Sequence, residues 1–237
     1  MLFRAFNRTY QQLLHPAFRQ VFLIGVLAAL VTLSALLAGL FYIWPDTYIT
    51  GWDWLDSWLA DMGDWFIALT FLPVGMVAIY LLFPPIATMV IGTFLDKIVQ
   101  AVERDYYPAH QASRTIGLQE TMTSAVRLGL MMMLLNLLAL IPYILLFFMT
   151  AGIGTLALYL FINGYLIGRE YFELVASGHH PVSGVQSLRR LKRSEIFTAG
   201  AAITGLFMVP FLNILAPIIG AAVMTHVYHS LREAESL

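Results

Sequence analysis

The sequence predicts an all-α integral membrane protein, and three observations support this class. Hydrophobic residues make up 59% of the 237 residues and charged residues only 11%, whereas about a quarter of the residues of a soluble domain are charged. All 13 Lys and Arg residues lie outside four stretches that contain no charged residue. These stretches are residues 20–45, 65–95, 128–168 and 196–231. We therefore expect a single integral membrane domain over residues 1–237.

The first two stretches each predict one long transmembrane helix. They hold about 26 and 31 residues, and roughly 20 apolar helical residues cross a hydrocarbon core about 30 Å thick. Beyond Phe94, apolar and charged residues recur with a helical period, which predicts an amphipathic cytoplasmic extension of the second span. The sequence Tyr106-Tyr107-Pro108 ends this extension, and the next helix is expected to begin near Gly117.

The third and fourth stretches predict two helical hairpins. The third holds about 41 residues, enough for two helices, with a break at residues 150–154. The fourth holds about 36 residues, and its break at residues 210–213 leaves arms of about 14 and 18 residues. At 1.5 Å per residue, the first arm reaches only about 21 Å, too short to span. The hairpins are therefore expected either to penetrate the membrane partway or to span it fully.

The distribution of charge predicts the topology. The segment from Asp46 to Asp64 contains five aspartates and no Lys or Arg, so the positive-inside rule places it outside and both termini in the cytoplasm. All five tryptophans lie in or beside this segment, which favours an interfacial aromatic belt with residues 53–59 as a short interfacial helix. The basic run from Arg189 to Arg193 is interpreted as positive-inside anchoring or contact with lipid headgroups.

The sequence contains no pattern typical of a catalytic site. It has no cysteine, nucleophile elbow, phosphate loop or paired catalytic carboxylates, so we expect no enzyme, no cofactor and no catalytic residue. The net charge of −1 does not favour a nucleic-acid partner. His226 and His229, at i and i+3, offer two metal ligands or a proton relay. No third ligand is recognisable beside them in the sequence, so polar residues at the membrane interface are favoured and no metal site is predicted.

Three asparagines interrupt the apolar stretches. A buried amide must find hydrogen-bond partners or line water, so Asn136, Asn163 and Asn213 are expected mainly to bond between helices. Asn213 lies at a proline-flanked break. Broken helices at membrane depth are tolerated where they are buried or line a cavity. Asn213 and Asn136 are therefore also candidates for lining a transport pathway.

The segment before the first span suggests an anion site. Pro16 at the first turn of a helix leaves the following amides free, and helix N-termini bind anions through such amides. Arg19 adds a charged donor fork. The candidate anion-binding residues are accordingly Ala17, Phe18, Arg19 and Gln20, although many membrane helices begin with proline and a basic residue for structural reasons alone.

Several motifs together resemble those of the CysZ family of bacterial sulfate permeases, which share a domain with eukaryotic etoposide-induced membrane proteins. The resemblance is clearest over residues 206–217, followed by Gly220-Ala221 and Met224, and the basic run precedes it at a matching distance. Pro16-x-x-Arg19 is similar to the family's Pro-Gly-x-Arg-Arg segment, for which the resemblance implies sulfate binding. Ala17 and Gln20 replace the glycine and the second arginine. The sequence also departs from the family at residues 169–173, which marks a divergent branch.

The resemblance implies a fold of two long transmembrane helices and two hairpins that enter the bilayer partway, assembled as a homo-oligomer. It further implies a permease or channel in the bacterial inner membrane that passes sulfate or a similar oxyanion into the cytoplasm for sulfur assimilation and cysteine synthesis. The alternative is a membrane scaffold that transports nothing and interacts through basic cytoplasmic segments, particularly residues 187–195.

Overall fold

The computed structural model describes residues 1–43, 52–114 and 118–235, and these residues form nine α-helices without a strand. A 3₁₀ turn at Pro108–His110 lies between the fourth and fifth helices. The helices are α1 Leu2–Gln12, α2 Pro16–Ile43, α3 Asp53–Gly92, α4 Leu95–Tyr106, α5 Leu118–Thr150, α6 Ile153–Ala176, α7 Val182–Leu191, α8 Arg193–Phe207 and α9 Leu212–Glu235.

Four of these helices contain segments long and apolar enough to cross a membrane, which confirms the predicted all-α membrane class. The segments are Pro16–Gly39, Gly75–Gly92, Val126–Thr150 and Leu212–Glu233. The predicted interfacial helix at residues 53–59 is the beginning of α3 rather than a separate element. Much of the acidic loop, including Trp44 and Asp46, and the predicted helix start at Gly117 lie outside the described residues.

Both predicted hairpin breaks are confirmed. In the first, α5 ends at Thr150 and α6 begins at Ile153. Ala151 and Gly152 between them have φ values of 49° and 92°, and this left-handed backbone cannot continue a right-handed helix. In the second, Phe211 has a φ of 65° just before α9. The breaks therefore follow from local backbone conformation.

The lengths of the hairpin arms differ. With 33 and 24 residues, α5 and α6 extend about 50 and 36 Å, both longer than a hydrocarbon core of about 30 Å. The 15 residues of α8 extend only about 22 Å. Among the described residues, α5 and α9 hold segments long and apolar enough to cross a membrane, whereas α6 and α8 do not. Each hairpin therefore pairs one helix that is long enough to cross with an arm whose apolar part is shorter.

The chain forms two compact units. One comprises residues 23–91, where Gly25 allows α2 to approach α3 closely: a Cβ at Gly25 would lie 2.4 Å from the Ile91 side chain. The other comprises residues 1–22 and 92–237. Within this second unit α9 is largely buried and packs against α1, α4, α6 and α8.

The closest helix contact in this unit is between α6 and α8. Gly164 and Gly168 lie four residues apart on α6 and face Gly200 on α8. A Cβ at Gly200 would lie 2.1 Å from the Gly164 carbonyl oxygen and 2.5 Å from the Gly168 backbone, and a Cβ at Gly168 would lie 2.6 Å from the Ile196 carbonyl oxygen. Small residues at this spacing allow membrane helices to approach backbone to backbone. The glycines are therefore required by the packing.

We predict that Gly200→Ala destabilises the protein, because the added methyl group meets backbone atoms that cannot rotate away. Overpacking of this kind costs about 1 to 3 kcal/mol. Gly205→Ala, on the same helix, is the matched control, because no atom lies within 4 Å of its Cβ position. Thermal unfolding in detergent should show a lower midpoint for Gly200→Ala and an unchanged or higher one for Gly205→Ala. Equal midpoints would contradict the close α6–α8 packing.

Candidate anion-binding site

A cavity of about 800 Å³ lies among α6, α7 and α8, and four arginines line it. One wall is basic and the other is apolar and aromatic. The basic wall consists of Arg169, Arg189, Arg190, Arg193 and Ser194; the apolar wall consists of Phe161, Tyr165, Ile196 and Phe197. The volume of the cavity is within the range of small-molecule sites, about 300 to 1,000 Å³.

The glycine contact between α6 and α8 positions this cavity. Arg169 directly follows Gly168 on α6. The carbonyl oxygen of Ile196 lies close to Gly168. Ile196 begins the apolar part of α8, three residues after Arg193. The close approach of the two backbones therefore brings Arg169, at the end of the apolar part of α6, near Arg193, at the beginning of α8. The short α7 adds Arg189 and Arg190.

A single carboxylate pairs with the arginines of the cavity among the described residues. Glu173 Oε1 lies 2.7 Å from Arg169 Nε and 3.7 Å from Arg189 Nη1. Arg190 and Arg193 are exposed and have no ion-pair partner among those residues. Four guanidinium groups line the cavity and one carboxylate forms ion pairs with two of them. The lining residues and this ion-pair partner together carry excess positive charge.

Two of the guanidinium groups are also poorly satisfied as hydrogen-bond donors. In the described part of the chain, Arg189 Nε is buried without a hydrogen-bond partner. Arg169 Nη1 donates to the Met131 sulfur, a weak acceptor. Burial, and then the positive charge of Arg169, lower the pKa of Arg189, and Glu173 acts in the opposite direction. An arginine stays protonated in proteins, so a bound anion would relieve both the repulsion and the missing acceptors.

The anion site predicted at the start of α2 has fewer free backbone amides than the sequence suggested. Pro16 begins the helix as predicted. However, the Ala17 amide donates to His15 Nδ1 at 3.2 Å, and the Arg19 amide donates to the His15 carbonyl oxygen at 3.2 Å. Two of the backbone amides in the predicted site, those of Ala17 and Arg19, are therefore already bonded to His15.

The remaining residues of that segment differ in exposure. The Phe18 side chain is buried, whereas Arg19 and Gln20 are exposed. Asp105 Oδ2 lies 3.6 Å from His15 Nε2, which places negative charge near the segment. Anion binding there remains a prediction, and an incoming anion would have to displace the His15 ring.

The asparagines bond differently from the prediction. The side chains of Asn136 and Asn163 donate to carbonyl oxygens four residues earlier in their own helices, Met132 and Tyr159, rather than across a helix interface. Asn213 lies in the first turn of α9, and its Oδ1 is buried without a partner among the described residues. A pathway role for Asn136 and Asn213 remains a prediction.

Sequence reasoning missed the arginine cavity. It identified the basic run at residues 189–193 but interpreted it as anchoring, and it did not connect Arg169 to this run. The two glycines at positions 164 and 168 were a signal for close helix packing. They do not reveal which helix is the partner.

We predict that Glu173→Gln lowers the melting temperature and strengthens sulfate binding. The substitution removes the carboxylate that partly neutralises Arg169 and Arg189, and breaking such a pair costs at least about 1 kcal/mol. Added sulfate should then raise the melting temperature of this variant more than that of the wild type. Weaker protection of the variant would mean that Glu173 helps to form the site instead of competing with the anion.

A family model matches most of the chain. This model, described as "Sulfate transporter CysZ/Etoposide-induced protein 2.4", matches residues 5–217. No curated protein matches the sequence significantly.

Proposed function

The chain belongs to the Sulfate transporter CysZ/Etoposide-induced protein 2.4 family, and from this premise we propose that it is a permease or channel for sulfate or a related oxyanion. We place it in the bacterial inner membrane with both termini in the cytoplasm. In this proposal, the anion enters the cytoplasm and supplies sulfur assimilation and cysteine synthesis. The protein acts as a homo-oligomer in the bilayer.

The arginine cavity is the observation that carries this proposal. A tetrahedral oxyanion offers several acceptor oxygens, and a guanidinium group donates two parallel hydrogen bonds to such a group. The excess of guanidinium over carboxylate charge at the cavity favours a divalent anion over a neutral solute. A field of one sign in a concave site also raises the local concentration of the opposite ion.

We propose that the cavity lies at the edge of the apolar region, where an anion crossing the membrane would leave or enter it. The apolar part of α6 ends at Gly168 and that of α8 begins at Ile196, and the arginines lie between these two positions in the sequence. The distribution of charge supports a cytoplasmic position for this edge. We propose that the cavity holds the anion at this edge and that Arg19 forms a second site at the start of α2.

The transport mechanism we propose is channel-like. The apolar stretches contain no Asp, Glu, Lys or Arg, and selectivity in such conduits is supplied by charged groups and hydrogen-bond donors at a few positions. Flux is then passive or coupled to an ion gradient.

The alternative is a membrane scaffold that interacts through residues 187–195 and transports nothing. Arg190 and Arg193 are exposed, as a partner surface requires. The same guanidinium groups also suit the phosphate of an anionic lipid. Measurements of sulfate flux and of sulfate and lipid binding distinguish a transporter, a scaffold and a lipid site.

We predict that sulfate at millimolar concentration protects the detergent-solubilised protein from thermal unfolding. The double variant Arg190→Gln with Arg193→Gln should bind sulfate at least about tenfold more weakly, because the loss of even one charge-assisted hydrogen bond removes about 1.5 to 3 kcal/mol. Arg4→Gln is the control, since Arg4 is exposed and belongs to α1. Protection that is equal in all three proteins would place the anion elsewhere. Arginine-dependent binding of phosphatidylglycerol vesicles without sulfate protection would assign the cavity to lipid.

We also predict that liposomes containing the purified protein take up labelled sulfate faster than empty liposomes, and that Arg19→Ala lowers this uptake because a guanidinium group is lost from the second site. A lysine at position 19 should restore part of the uptake, since it keeps the charge without the planar fork. Uptake by the wild-type protein no faster than by empty liposomes would refute transport and favour the scaffold.

A further inference from the structure

A second polar cluster lies in the same compact unit and involves residues that the anion cavity does not use. Glu103 on α4, His179 in the turn after α6 and His229 on α9 meet there. Their side chains are 1%, 7% and 3% exposed, so three distant parts of the sequence bury ionisable groups together. We propose that these residues form a binding site for a divalent transition-metal ion, with zinc as the preferred ion.

The geometry of the ligand atoms supports this proposal. Glu103 Oε1 lies 2.8 Å from His179 Nε2 and 3.2 Å from His229 Nε2, and the three atoms lie within 4.8 Å of one another. Bonds of about 2.0 to 2.1 Å to a tetrahedral zinc ion place neighbouring ligand atoms about 3.3 Å apart. The observed separations from the carboxylate therefore need to change by about 0.5 Å or less.

The chemistry of the ligand set is also suitable. Two imidazole nitrogens and one carboxylate oxygen are a recurrent zinc set in proteins, with a water molecule in the fourth position. Metal ions bind carboxylates and histidines in their deprotonated forms. In the metal-bound form each imidazole carries its proton on Nδ1, which leaves Nε2 free to coordinate.

Neighbouring groups hold the ligands in orientation. The Ala112 amide donates to Glu103 Oε2 at 2.8 Å, which fixes the carboxylate through the oxygen that does not face the imidazoles. Tyr107 stacks on the His229 ring with a centroid distance of 4.0 Å, and Tyr228 stacks on the His179 ring at 5.0 Å. Partners outside the ligand set orient metal ligands in this way and tune affinity.

The groups around the metal ligands include residues of α1 and a second histidine of α9. Arg8 Nη1 donates to the Tyr107 hydroxyl at 3.1 Å, and the same hydroxyl lies 3.0 Å from His226 Nδ1. His226 therefore belongs to the surrounding layer, while His229 belongs to the ligand set. A bound ion ties α4 and α9 to the turn that leads into α7, which carries two arginines of the anion cavity.

The test uses the full chain purified in detergent without a histidine tag, loaded with zinc chloride and desalted. We expect about one zinc ion per chain by mass spectrometry of the metal. His229→Ala and Glu103→Gln should each weaken zinc binding at least about tenfold. His110→Ala, which removes an exposed histidine, should bind zinc as the wild type does.

Cobalt provides a readout that needs no variant. Wild-type protein loaded with cobalt should show the intense visible absorption of a tetrahedral ion, and zinc should displace it. Wild-type protein that retains no zinc and shows no such spectrum would overturn the proposal. So would full zinc binding by His229→Ala and Glu103→Gln, because the ion would then lie elsewhere. Metal binding is measured here without any flux, so its result is independent of the proposed transport.

Discussion

The backbone contact between α6 and α8 is the constraint on which the rest of the candidate site depends. Gly164 and Gly168 on one helix and Gly200 on the other leave no room for a Cβ at the crossing. In lipid, helices gain little from excluding water, so close van der Waals contact between small residues is a main source of association. That contact also brings the end of the apolar part of α6 close to the beginning of the apolar part of α8. Charged residues just beyond these ends, such as Arg169 and Arg193, are consequently brought to one cavity.

The arginines of the cavity repel one another, and this repulsion favours the binding of an anion there. Arg169 is buried, and a buried charge is tolerated only where other groups compensate it. Glu173 compensates part of the charge, but its one carboxylate contacts both Arg169 and Arg189. An oxyanion would neutralise the remaining positive charge. It would also accept a hydrogen bond from Arg189 Nε, which has no partner in the described part of the chain. The packing of apolar helices and the affinity for an anion are thus two consequences of the same contact.

The sequence was sufficient to predict the long apolar helices and the two hairpin breaks, because these depend on local signals. It did not predict that the amphipathic segment after the second span is a separate helix, α4. The four uncharged stretches indicated the membrane class, and the left-handed residues Ala151, Gly152 and Phe211 lie at the breaks predicted from glycine and proline. The sites depend instead on distant pairs. Arg169 and Arg189 are twenty residues apart, and no local pattern shows that they share a cavity.

The histidine cluster shows the same limit more strongly. His226 and His229 were recognisable as a pair, but Glu103 precedes His229 by 126 residues and reaches it only because α4 packs against α9. His179, in an exposed-looking turn of the sequence, is brought to the same point. A single sequence shows which residue types are present and how they are spaced along one helix. It does not show which helices become neighbours.

The most direct test of the account is the position of a bound oxyanion in an experimental structure. Selenate has the shape and charge of sulfate, and its selenium gives an anomalous X-ray signal that marks the anion without interpretation of weak density. We expect an anomalous peak between Arg169, Arg189, Arg190 and Arg193, in the cavity beside the α6–α8 contact. Crystals grown in selenate with no peak in this cavity, or with a peak only elsewhere, would contradict it.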